Sequence, residues 1–167
     1  MTILYFAYGS NMCTGRLTQR VPSAKPRFAA KLAKHQLAFH KRSNDGSGKA
    51  DVEYTGNVND LVWGVVFELE ASEKPKLDNA EGLGYGYFEK PVTVKTASGA
   101  KITAVAYYAD DAHKDSALKP YCWYLRFVIE SAKQHGFPEE HVASLEAVGC
   151  IEDPDTSRSS KERAIRC

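Results

Sequence analysis

Strand-length and helix-length hydrophobic patterns occupy different parts of this chain, and that separation restricts its fold more than any other feature. Apolar runs of strand length lie at Thr2–Tyr8, Asp51–Val58, Leu61–Leu69, Phe88–Thr96 and Lys101–Tyr108. The run VWGVVFEL, residues 62–69, is the most strand-like, being rich in β-branched and aromatic side chains. From Arg27 to His40 apolar and polar residues alternate in places, which predicts a long, interrupted strand. Helical spacing takes over from Lys119 to His135, with Tyr124, Phe127, Val128 and Ser131 on one face. Gly136 ends that helix, and Pro138 starts another carrying Val142, Leu145 and Val148. Strands followed by segregated helices, without a βαβ rhythm, indicate an α+β domain.

Turn and capping residues divide the chain further. Asn11 or Thr14 can cap a short helix through Arg20, which Pro22 stops. NDGSGK, residues 44–49, reads as a flexible turn, and Asn59-Asp60 as a hairpin turn between its flanking strands. Ser72 as N-cap and Gly82 as stop bracket a helix of about ten residues. The expected organisation is one domain over residues 1–150, followed by a polar C-terminal tail, 151–167, expected to be mobile.

The chain's 167 residues are enough for a substantial core, and 43% hydrophobic with 26% charged residues is ordinary for a globular protein. No window approaches 18 apolar residues, and Ile3–Ala7 has neither a preceding basic residue nor a cleavage site. Neither membrane insertion nor a secretory signal is therefore expected. The four cysteines, Cys13, Cys122, Cys150 and Cys167, form no Cys-x-x-Cys pair, and the histidines form no His-Glu-x-x-His pattern. Neither structural zinc nor a disulfide framework is indicated, so a reducing cytoplasm is the expected location. All 21 acidic residues lie beyond Asn44, whereas Arg16, Arg20, Lys25, Arg27, Lys31, Lys34, Lys41 and Arg42 lie before it. These cations are dispersed and lack a recognition motif, so no nucleic-acid partner is expected. A small anionic ligand suits this half of the chain. No heptads occur; a homodimer is compatible with the sequence but not indicated by it.

Three segments carry groups suited to chemistry. The first strand runs into Gly9-Ser10-Asn11, where successive N–H groups can cradle an anion and Gly9 permits close approach. The bland reading is a tight turn into a helix. Glu81 ends a predicted helix just before Gly82. A carboxylate there opposes the helix dipole by a few tenths of a kcal/mol up to about one. Set among glycines and aromatics, Glu81 is a better candidate base than Glu73 or Glu139. Tyr124 lies in YCWYLRF, where core packing is the simpler explanation of an aromatic residue.

Together these segments resemble the γ-glutamylcyclotransferase family. The resemblance rests on Tyr8-Gly9-Ser10-Asn11 after the first strand and on VWGVVFEL. It continues through Leu77-Asp78-Asn79-Ala80-Glu81-Gly82 to Tyr124 and Gly136-Phe137-Pro138, spanning residues 3–148 in order. It implies a small mixed β-barrel with helices packed around it. The Tyr8–Asn11 loop, with Tyr124, would bind the carboxylate end of a γ-glutamyl group, and Glu81 would be the catalytic acid/base. The implied reaction is intramolecular aminolysis releasing 5-oxoproline, without metal or organic cofactor. Alternatives on the same fold are a non-catalytic binding module, or an enzyme that trims γ-glutamyl groups from amines or a biosynthetic intermediate. One departure stands out: the family often has tyrosine seven residues after the glutamate, where this chain has Phe88. Tyr87 beside it is expected on the opposite face of the strand.

Overall fold

Seven strands and five helices follow one another in a computed structural model that describes residues 1–167. Strands β1 (Thr2–Ala7), β2 (Lys25–Ala33), β5 (Leu61–Glu70), β6 (Tyr87–Thr96) and β7 (Lys101–Ala109) close into a barrel in the order β1-β5-β2-β6-β7. All neighbours are antiparallel except β1 and β7, which close the barrel in parallel at Tyr5 and Val105. Closure leaves no free sheet edge, which an open five-stranded sheet would have to protect. A bulge between Pro26 and Phe28 bends β2, at the residue that lacks a ladder donor. The small mixed barrel with helices around it agrees with the fold class expected from sequence.

VWGVVFEL forms the centre of β5, flanked by β1 and β2. Gly64 is required there by contact. A Cβ at this position would fall 2.5 Å from the Ala7 carbonyl and from the Phe6 ring, both buried in the core. That core includes Phe6, Val65, Val66, Phe67, Leu77 and Phe127.

The predicted long strand from Arg27 to His40 divides at Lys34, the one non-glycine residue with positive φ, 64°. β3 (His35–Arg42) leaves the barrel there and pairs with β4 (Gly48–Tyr54) across the NDGSGK turn. The Asn59-Asp60 hairpin does not form, because β4 and β5 lie in different sheets. That segment folds onto Lys34 instead: the Lys34 N–H donates to the Asp60 carbonyl at 2.7 Å, and the Lys34 carbonyl accepts from Thr55 at 2.8 Å.

Helix α1 (Thr14–Arg20) follows a 3-10 turn at Ser10–Met12, and α2 (Lys74–Glu81) follows one at Ala71–Glu73. Ser72 lies inside the second turn and caps nothing; Glu73 occupies the N-cap position without a side-chain cap bond. Gly82 does stop α2, in the left-handed conformation at φ 69°. The amphipathic α3 (Cys122–Gln134) buries Trp123, Tyr124, Leu125, Phe127, Val128, Ser131 and Ala132. Gly136, at φ 68°, turns the chain into α4 (Glu139–Glu146). No helix is long and apolar enough to cross a membrane.

Two sequence expectations fail at the C-terminus. The segment expected to be a mobile tail forms α5 (Thr156–Arg163) and docks on the domain. Asp153 is buried beneath it and accepts from Trp123 Nε1 at 2.8 Å and from Arg158 Nε at 2.7 Å. The bonds from Arg158 hold its carboxyl well below the usual range. The cysteines are also paired, Cys13 with Cys167 and Cys122 with Cys150, with Cα atoms 4.6 and 5.0 Å apart. No free thiol remains. Spacing concealed these pairs, which are 154 and 28 residues apart and brought together only by tertiary structure. The pairing removes the argument for a reducing compartment.

Candidate active site

All six candidate site residues from the sequence line one narrow cavity. Tyr8, Gly9, Ser10, Asn11, Glu81 and Tyr124 surround it together with Tyr5, Ala50, Tyr87 and Tyr107. Strands β1, β4, β6 and β7, helices α2 and α3 and the 3-10 turn supply these groups. β1 carries Tyr5 and runs out through Tyr8 into the 3-10 turn, whose first N–H groups have no partner within the turn. The last residue of α2 is Glu81, so the left-handed Gly82 releases the chain immediately beyond the carboxylate. Tyr124 faces inward from the first turn of α3, and Ala50 comes from β4.

Asn11 organises the acid. Its Nδ2 donates to Glu81 Oε1 at 2.6 Å and to the Tyr5 hydroxyl at 3.1 Å, while its Oδ1 accepts from Arg20 at 3.0 Å. Three of the amide's four hydrogen-bonding positions are thus filled, which fixes its orientation. Arg20 also lies 3.5 Å from Glu81 Oε1. No protein hydrogen bond engages Glu81 Oε2. One oxygen of the carboxylate is therefore clamped and the other is available. The Glu81 side chain is 15% exposed, at the boundary between cavity and surface.

The tyrosines are held by backbone. Tyr8 donates to the Tyr107 carbonyl at 2.6 Å, and Tyr87 donates to the Ala50 carbonyl. The Tyr124 hydroxyl accepts from the Ala50 N–H at 3.0 Å, so both polar groups of Ala50 are satisfied by cavity tyrosines. Burial raises the phenol pKa of Tyr5, Tyr8, Tyr87 and Tyr124 above the ordinary value, which keeps these hydroxyls protonated. Tyr107 donates to Asp78 at 2.6 Å, linking β7 to α2.

Gly9 has a reason that sequence did not show. A Cβ on it would stand 2.9 Å from the Ala50 Cβ and 3.0 Å from the Tyr124 hydroxyl. The bare backbone thus makes room for protein atoms that wall the cavity.

Tyr87 corrects the expectation at Phe88. The two side chains do face opposite ways, but Tyr87 lines the cavity while Phe88 is 42% exposed and packs near Tyr108. Left-handed Gly82, Gly84 and Gly86 set the loop that brings β6 in at Tyr87, six residues after the glutamate. A hydroxyl is therefore supplied from the neighbouring position. Tyr5, Ala50 and Tyr107 had no sequence signal beyond membership of strand-like runs.

The cavity measures about 30 Å³ and adjoins an outer compartment of about 260 Å³. Ser10, Glu81, Tyr87 and Tyr124 line both. Arg16, Arg20 and Lys41, three of the eight cations before Asn44, surround the outer one, with Lys49 and Arg158. Asp45 and Glu162 are the acids that share this wall with Glu81. The arrangement can take an anionic group and move a proton between the two compartments through Glu81.

A sequence model of the AIG2-like family matches residues 61–145. Bovine γ-glutamylcyclotransferase is 32% identical over 88% of this chain and 79% of its own length. The mouse protein of the same name is 34% identical over the same shares. A solved structure named γ-glutamyl cyclotransferase superimposes with a TM-score of 0.84 at 29% identity, covering 97% of this chain and 99% of its own. With the cavity motif in place and the likeness extending along nearly the whole sequence, the chain belongs to the γ-glutamylcyclotransferase family.

Proposed function

We propose that this protein cyclises γ-glutamyl amino acids, peptides or amines, releasing 5-oxoproline and the free amine, with Glu81 as general acid and base. The substrate's α-amine attacks its own γ-carbonyl carbon. A new C–N bond closes the five-membered ring and the original amide C–N bond breaks. The attacking nitrogen loses a proton to Glu81 Oε2, and Glu81 returns it to the departing nitrogen, so no water is consumed. The observation that carries this reading is the half-clamped carboxylate: Oε1 is held by Asn11 at 2.6 Å, Oε2 has no protein hydrogen bond, and Glu81 lines both compartments.

The Gly9-Ser10-Asn11 turn receives the α-carboxylate, and Tyr8 and Tyr124 wall the curled γ-glutamyl chain. Holding amine against carbonyl is worth effective molarities on the order of 10⁵ M or more. Proton shuttling by a positioned carboxylate adds about 10²–10⁴-fold. The leaving group extends into the outer compartment. The test is a panel of γ-glutamyl dipeptides, glutathione and γ-glutamyl-lysine assayed for 5-oxoproline. Turnover of at least one is expected; no 5-oxoproline from any would leave a binding module on this fold.

A further inference from the structure

One wall of the outer compartment comes from α5, which lies outside residues 61–145, the span of the family model, and outside the motif segments. Arg158 and Glu162 supply it. Glu162 pairs with Arg16, and Arg16 Nε donates to Ser10 Oγ at 3.3 Å. The Arg16 side chain is only 8% exposed, with its guanidinium 4.9 Å from the Phe127 ring centroid and 5.4 Å from that of Trp123. A guanidinium so enclosed needs a counter-ion, and Glu162 is its only carboxylate partner.

The segment bearing Glu162 is held in three further ways. Arg126 donates to the carbonyls of Glu162 and Ile165 at 3.0 and 3.3 Å. The chain passes so close to Gly15 that a Cβ there would lie 1.8 Å from the Arg166 carbonyl. Finally, Cys167 is bonded to Cys13, two residues beyond Asn11. Cys167 is thus covalently tied beside the turn that opens the cavity.

We propose that the C-terminal segment is a working part of the substrate site. Glu162 is a positioning residue that holds Arg16 against Ser10, and so holds the Gly9-Ser10-Asn11 turn in its binding shape; the Cys13–Cys167 bond keeps Glu162 in place. The proposal rests on the reading of that turn as the seat of the γ-glutamyl carboxylate. A dithiol such as dithiothreitol opens the bond by two exchanges. Its first thiolate attacks one protein sulfur, its second closes the reagent into a cyclic disulfide, and Cys13 and Cys167 are left as thiols. The tether is then non-covalent and the turn loosens.

The test measures steady-state kinetics on a γ-glutamyl dipeptide for the wild type with and without dithiothreitol, and for Glu162→Ala, Glu162→Gln and Cys167→Ser. Calorimetric binding of L-glutamate and thermal melts run alongside. Glu162→Ala should raise KM and the glutamate Kd about tenfold or more, with kcat changed less than about threefold. Glu162→Gln, which still accepts from Arg16, should recover part of that loss. Cys167→Ser should raise KM without the reductant; dithiothreitol also opens Cys122–Cys150 in both proteins, so it should move the wild type further than the variant and close the gap between them. Variants that melt earlier but bind glutamate as the wild type does would overturn the proposal and leave the segment a structural brace. Glutamate binding without 5-oxoproline release would overturn the reaction alone, and the Kd ratios would still decide the role of Glu162. A wild type that binds no glutamate would overturn both.

Discussion

Replacing Asn11 with leucine keeps the side chain's branched shape and removes the amide that aims Glu81. Three contacts disappear: the 2.6 Å bond to Glu81 Oε1, the 3.1 Å bond to Tyr5 and the 3.0 Å bond from Arg20. Two of these involve a charged partner, and such bonds contribute about 1.5–3 kcal/mol each. Arg20 is partly in solvent's reach at 29% exposure, so water compensates its loss in part. The net cost to folding should be about 2–3 kcal/mol, or roughly 4–12 °C in Tm for a domain of this size. The effect on turnover has a separate origin. Glu81 keeps only the 3.5 Å contact with Arg20, on the same oxygen, and nothing fixes which way Oε2 points. Misplacement of a catalytic group by about 1 Å costs on the order of 10²-fold, so kcat for 5-oxoproline release should fall 30–300-fold, roughly. The assay is chromatographic release of 5-oxoproline from a γ-glutamyl dipeptide, at a temperature where melting shows the variant folded. A folded Asn11→Leu protein with kcat within threefold of the wild type would refute the reasoning, because Glu81 would then not need aiming.

Other changes test other parts of the account. Gly64→Ala sets a Cβ 2.5 Å from the Ala7 carbonyl, and a barrel strand cannot yield easily; a loss of about 1–3 kcal/mol is expected in denaturant melts. Gly9→Val crowds Ala50 and the Tyr124 hydroxyl, so affinity for L-glutamate should fall in calorimetry. Tyr124→Phe leaves the buried Ala50 N–H without its acceptor, at a cost of about 1–3 kcal/mol read by thermal unfolding. Burial pushes the Asp45 carboxyl upward, but hydrogen bonds from Ser47 and Lys49 outweigh it and bring its pKa down to about 2. A depressed carboxylate stabilises the fold above its unfolded value of about 3.9 and loses that contribution as pH falls through the folded value. Melts between pH 5 and about 2 should therefore show a loss that Asp45→Asn reduces.

The groups legible in the sequence were those with local signatures. Gly9-Ser10-Asn11 announced a turn, Gly82 a helix stop placing Glu81 at its end, and the spacing around Tyr124 a buried helix face. The family resemblance brought them together, and the cavity contains all of them. What escaped depended on pairing across the chain. Tyr5 and Tyr107 are inward residues of two strands whose adjacency follows only from barrel order. Ala50 contributes its backbone groups and a bare methyl, and no side-chain pattern can mark that. Whether residue 87 or 88 faces inward depends on the length of the glycine loop before β6, since a one-residue shift reverses a strand's faces. The same limit explains the misplaced Asn59-Asp60 hairpin, where two adjacent runs belong to different sheets. It also explains the paired cysteines and the docked C-terminal segment, whose Asp153 looks like an ordinary surface acid until Trp123 and Arg158 close on it.

The most direct measurement is the turnover of Glu81→Gln. The glutamine keeps the size of the side chain and an oxygen that can accept from Asn11, but it cannot carry a proton between two nitrogens. The account predicts that release of 5-oxoproline drops at least about a hundredfold while L-glutamate still binds. Release at a near wild-type rate by the folded variant would contradict it.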